Sequence, residues 1–96
     1  MDKLQHFIET MADDTRLKPV HLSLCMALCK EWIASGYMQS YRVNRRLLMQ
    51  GSRILSKATY HKVLKDLQEY GYLKYTPSYH PKLGSQVSLL LDNKLD

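Results

Sequence analysis

Between Ser56 and Gly71 the chain carries a complete helix specification: a capping serine, a one-sided apolar stripe and a glycine stop. At about 100° per residue, Tyr60, Val63, Leu64, Leu67 and Tyr70 fall on one side, while Ala58, Lys62, Lys65 and Glu69 fall opposite. A helix from Lys57 to Tyr70 must therefore set its apolar side on a core and turn a basic side outward. The residues after Gly71 narrow the fold further. YLKYT alternates large and polar residues, PSYHPKLG is broken by two prolines and a glycine, and SQVSLLL returns as a second extended run. An antiparallel hairpin with a long tip is expected.

The first half of the chain reads as helices. Leu4, Phe7, Ile8 and Met11 recur at helical spacing and make Lys3 to Ala12 a short amphipathic helix. Asp13, Asp14 and Thr15 supply turn chemistry before a stronger pattern from Pro19 to Ser35, bracketed by Pro19 in its first turn and Gly36 at its end. Its inward stripe includes Leu24, Cys25, Leu28, Trp32 and His21. YMQSYRV fits a connector ending in a short strand. Asn44 then caps a short helix, RRLLMQ, expected to stop near Gly51, and a tight turn from Ser52 to Leu55 leads to Ser56. The chain divides into an N-terminal helix, residues 1–16, and a domain over residues 17–96.

With 96 residues, 45% of them hydrophobic, the chain has enough for one core and not two. No run approaches the roughly 18 apolar residues a membrane span needs, and MDKLQHFIETMADD lacks the basic start and apolar centre of a signal segment. A cytoplasmic setting is expected. Cys25 and Cys29, four apart on one helix, offer no disulfide framework.

Charge is unevenly placed. From Arg42 to Gln86 there are nine basic residues (Arg42, Arg45, Arg46, Arg53, Lys57, Lys62, Lys65, Lys74, Lys82) against Asp66 and Glu69, a net of +7, whereas the whole chain is +5. The asymmetry points to a polyanionic partner facing one part of the fold. Charge of this kind also serves plain solubility, so it decides nothing alone.

The order of short helix, tight turn, longer helix and β-hairpin is that of a winged helix-turn-helix, whose longer helix enters the major groove and whose hairpin touches the backbone. The expected fold is thus α+β, mainly α: a three-helix core plus a hairpin wing, with an extra N-terminal helix. Ser56, Lys57, Thr59, His61 and Lys62 place donors at the start of the groove helix, and Ala58 leaves room for close approach. Arg42, Arg45, Arg46 and Arg53 stand where the preceding helix and turn would cross phosphates; Lys65 continues the basic side, and Tyr79, His80 and Lys82 occupy the hairpin tip.

SKATYHKVLKDLQEYGYLKY also resembles the signature S-x-x-T-[aromatic or aliphatic]-x-x-x-L-x-x-L-x-x-x-G-[apolar]-[apolar] of bacterial winged helix-turn-helix regulators. Ser56, Thr59, Tyr60, Leu64, Leu67, Gly71, Tyr72 and Leu73 carry the match. More narrowly, most of the span from Leu17 to Leu91 is similar to small bacterial proteins associated with mobile elements and described as transcriptional regulators. The resemblance implies double-stranded DNA as partner, through the helix at Ser56 and the wing. Relatives often carry glycine just before the capping serine; here Leu55 stands there, expected either to pack into the core or to alter the turn.

Other readings weigh less. His21, Cys25 and Cys29 share a stripe, yet neither a CxxC pair nor a His-x-x-x-His partner supports a metal, and a core stripe is favoured. Lone tyrosines do not make a strand-cleaving nucleophile, and neither a phosphate loop nor a nucleophile elbow is present, so no cofactor, small-molecule substrate or enzymatic role is called for. Leu4, Phe7, Ile8 and Met11 either close the core or pair two copies, with a homodimer favoured. Winged helices also act as protein-docking modules, which is the alternative function; RNA binding is weaker, since the basic side lacks an aromatic platform.

Overall fold

The computed structural model describes residues 2–78 and 84–91. The chain is a small, mainly helical α+β domain. In order it runs α1 (Asp2–Asp13), α2 (Pro19–Ala34), β1 (Tyr41–Val43), α3 (Arg45–Ser52), α4 (Lys57–Glu69), β2 (Leu73–Thr76) and β3 (Ser85–Leu89). Among these residues no helix is long and apolar enough to cross a membrane.

Local signals set the helix ends. Asn44 Oδ1 accepts from the Leu47 N–H at 3.2 Å to start α3, and Ser56 Oγ accepts from the Thr59 N–H at 3.3 Å to start α4. α2, α3 and α4 finish in one motif, in which a residue in the left-handed region lets the following N–H reach back to a carbonyl of the last turn. Gly36 takes that place after α2 (φ 82°) with Tyr37 N–H on Trp32 O at 3.1 Å, and Gly71 after α4 (φ 87°) with Tyr72 N–H on Leu67 O at 2.9 Å.

α3 departs from expectation. It runs past Gly51 to Ser52, and Arg53, not a glycine, adopts the left-handed conformation (φ 63°), with Ile54 N–H on Met49 O at 3.1 Å. Gly51 is needed for another reason: a Cβ there would meet the Ala27 Cβ at 3.3 Å, so its bareness lets α3 lie close on α2. Packing claims the glycine, and the terminating role passes to an arginine.

The strands form one antiparallel sheet in the order β1-β3-β2, with Tyr41 and Tyr75 flanking Val87 and Arg42 and Thr76 flanking Gln86. Period-two alternation then puts Tyr41, Val43, Leu73 and Val87 on the inner face, where all are buried, and Arg42, Lys74 and Gln86 on the outer face, where all are exposed. The expected short strand before Asn44 thus forms, and its partner is the far strand of the hairpin. The Tyr41 hydroxyl donates to Leu28 O at 2.8 Å, tying the sheet to α2. Leu24, Leu28, Leu48, Ile54, Tyr60, Val63, Leu64 and Leu67 complete the core.

α1 is bound to this core by a few strong contacts. Phe7 meets Tyr72 edge-on with ring centroids 5.8 Å apart, and Phe7 and Met11 are only 3% and 8% exposed. Beside them Asp14 accepts from Arg16 Nε at 2.9 Å, from Arg16 Nη2 at 2.7 Å and from the Tyr72 hydroxyl at 2.7 Å, while the Arg16 guanidinium lies 4.3 Å over the Tyr70 ring.

Candidate nucleic-acid interface

α4 buries Tyr60, Val63, Leu64 and Leu67 and exposes Lys57, Ala58, Thr59, His61, Lys62, Lys65 and Glu69. The division follows the sequence stripe, because those apolar side chains are the ones α2 and the sheet can cover. Ser56, as cap, fixes the direction in which the first turn of α4 points its N–H groups.

Arg45, Arg46 and Lys57 gather around a hollow of about 350 Å³ between α3 and the start of α4, floored by Met49 and Ile54. A second hollow, of about 580 Å³, lies on the other side of the turn and brings Arg53, Ser56 and Thr59 together with Pro19 and Val20. Arg45, Arg46, Arg53 and Lys57 are all exposed, and among the described residues none forms an ion pair. Their positive field adds to that of the α4 N-terminus, where unsatisfied N–H groups already favour an anion.

Other expected site residues are placed differently. Arg42 lies on β1, on the outer face of the sheet opposite Gln86, and not beside the α3–α4 turn. Lys62 is engaged: its Nζ lies 3.3 Å from Asp66 Oδ2, so part of its charge is spent inside the chain. Leu55 does not enter the core; it is 95% exposed, and Ile54 packs inward instead. His61 is exposed and meets the Tyr60 ring edge-on at 5.2 Å. Tyr79, His80 and Lys82 lie outside the described residues.

One positioning element has no local signature in the sequence. The Lys18 N–H donates to His21 Nδ1 at 3.0 Å, which leaves the ring proton on Nε2, and that group donates to Asp66 Oδ2 at 2.9 Å. A buried histidine of α2 thus caps its own helix and holds the middle of α4. The His21 hydrogen bond, helped by Lys62 and opposed by desolvation, keeps the Asp66 carboxyl below its ordinary range. With both ring nitrogens occupied, His21 is a structural bridge.

The remaining candidates belong to the core. Burial pushes the Cys25 thiol up to about 12 and also raises Cys29, which leaves both protonated. Burial likewise pushes the Tyr60 phenol up to about 12, far from what a nucleophile needs. Among the described residues no group of three or more His, Cys, Asp or Glu side chains could hold a metal ion. The α1 stripe is divided: Phe7 and Met11 are enclosed by their own chain, Leu4 is half-buried, and Ile8 is 50% exposed. A pairing of two copies through α1 would rest on Ile8 and the rim of Leu4.

No protein-family model, curated protein or solved structure matches the chain.

Proposed function

We propose that this protein binds duplex DNA as a winged helix-turn-helix, with α4 in the major groove and the β2–β3 hairpin as the wing against the backbone. The observation that carries this reading is the gathering of exposed Arg45, Arg46, Arg53 and Lys57, none in an ion pair among the described residues, around the N-terminus of α4. Phosphates are what such a cluster complements, and Ser56, Ala58, Thr59 and His61 beside it are short enough for base edges to come close. Arg42 and Lys74 add two exposed cations on the outer face of the sheet.

Arg53 adds a separate argument. The equivalent positions after α2 and α4 are glycines, yet here a side chain is kept at φ 63°, where an L-residue costs about 1 to 2 kcal/mol. Strain retained on an exposed, cationic position is understandable if the cation meets a partner. Resemblance to mobile-element regulators suggests a role exercised through occupancy of a DNA site.

The test is a fluorescence-anisotropy titration of the full chain with labelled duplexes from 50 to 300 mM salt. If about five cations neutralise phosphates, the log–log slope of affinity against salt is around −4 to −5. A salt-independent affinity, or a basic-face partner that survives nuclease treatment, would favour a protein-docking module instead.

A further inference from the structure

We propose that Leu55 is a base-reading contact, seated on the C5-methyl group of a thymine at the edge of the major groove beside the α4 N-terminus; this rests on the DNA-binding reading above. Exposed leucines are ordinary on protein surfaces. This one is singled out by its surroundings. It is 95% exposed, so it contributes almost nothing to the core, while its neighbour Ile54 is 5% exposed and supplies the packing the turn needs. It also walls both hollows, standing as a ridge with Arg45, Arg46 and Lys57 on one side and Arg53 on the other.

The chemistry of that position is specific. Cations on both flanks would be held by phosphates, which brings whatever lies between them to the groove edge. A branched apolar side chain there has no hydrogen bond to offer a base. The apolar feature of the major groove is the thymine methyl group, which separates T·A from the other pairs. A ridge of one leucine between phosphate-binding cations would therefore read a methyl while Ser56 and Thr59 take polar base edges or the backbone.

The experiment separates this proposal from the reading beneath it. Duplexes retained by the protein are selected from a randomised pool, each thymine of the selected site is replaced in turn by deoxyuridine, and Kd is measured for the wild-type protein and for Leu55→Ala. Loss of one buried methyl group is expected to weaken wild-type binding about fourfold at one position. The same replacement should leave Leu55→Ala unaffected, and Leu55→Ala should melt at the wild-type temperature. If no replacement weakens wild-type binding, or if Leu55→Ala suffers the same loss, the proposal falls while DNA binding stands. Equal weakening of thymine and deoxyuridine duplexes by Leu55→Ala would also overturn it, placing the side chain against sugar or between bases. Retention of no duplex at all would remove the DNA reading and this proposal with it.

Discussion

Two clusters in this small domain are built around arginine and differ in how its charge is met. At the junction of α1 and α2, Arg16 is clamped by Asp14 with contacts of 2.9 and 2.7 Å, covers the Tyr70 ring, and shares the carboxylate with the Tyr72 hydroxyl. At the α3–α4 turn, Arg45, Arg46, Arg53 and Lys57 stand around an exposed leucine, and none has a carboxylate partner among the described residues. Charge that is satisfied within the chain supports the fold. Charge that is left open, at a helix terminus and at the cost of backbone strain, is available to something outside it. Substitutions at the first cluster should therefore cost stability and spare binding, and those at the second the reverse.

The largest effect is expected at the packing that accompanies the first cluster. Phe7→Ala removes a ring that is 3% exposed and lies edge-on to Tyr72, which should cost about 3 to 5 kcal/mol in urea unfolding. Duplex affinity of the protein that remains folded should stay within about twofold, since α1 has no part in the basic face. A large loss of affinity at unchanged stability would break the contrast between the two regions.

Asp14→Ala comes next. It strips the acceptor from Arg16 and the Tyr72 hydroxyl together, and hydrogen bonds to a charged group are worth about 1 to 3 kcal/mol. The Arg16 hydrogen bonds hold the Asp14 carboxyl well below its usual range, against desolvation and with help from Tyr72. A depressed folded-state value means the unfolded chain binds the extra proton first as pH falls. The Asp14 contribution is thus complete above the ordinary carboxylate range and fades below about pH 4. Urea midpoints of wild type and Asp14→Ala, separate at pH 7, should draw closer as pH falls from about 4 to 2.5 without meeting. Parallel curves would show that the carboxylate is not what latches the linker.

How much of this could be read from the sequence divides along the same line of local against distant causes. The caps at Asn44 and Ser56 and the stops at Gly36 and Gly71 are legible because each acts on residues within one helical turn. The basic outer side of α4 is legible because helical periodicity alone separates it from Tyr60, Val63, Leu64 and Leu67. Gly51 misleads, since closeness to Ala27 on another helix, and not termination, is what requires it. Arg42 is placed by the pairing of β1 with a strand more than forty residues away, and Asp66 by His21 of α2, a separation of 45. No local pattern encodes either meeting.

Arg53→Gly should move stability and binding in opposite directions. Glycine relieves the left-handed conformation at φ 63°, offset in part by the greater freedom of the unfolded chain, for a net gain of about 0.5 to 1 kcal/mol in stability. The same change removes one cation from the open cluster and should lower duplex affinity about fivefold, with the salt slope reduced by about 1. A variant that is more stable and binds equally well would mean the strain at Arg53 serves no partner.

The smallest and most discriminating effect lies within α4 itself. Lys57 and Lys62 are both exposed on the same helix, and composition alone gives them equal weight. Lys62 Nζ already lies 3.3 to 3.4 Å from the Asp66 carboxylate, which is in turn held by His21, so turning Lys62 to a phosphate means giving up an existing pair. Lys57 has no such pair among the described residues and stands at the rim of the hollow with Arg45 and Arg46. Lys57→Ala should therefore weaken duplex binding by about 1 kcal/mol, and Lys62→Ala by about half that or less. Asp66→Asn provides the crossing measurement: by freeing Lys62 it should raise affinity slightly while loosening the α2–α4 bridge, and in that background Lys62→Ala should become as costly as Lys57→Ala. Equal losses for the two lysines in the wild-type background would show that an internal ion pair does not decide which cations are open to DNA.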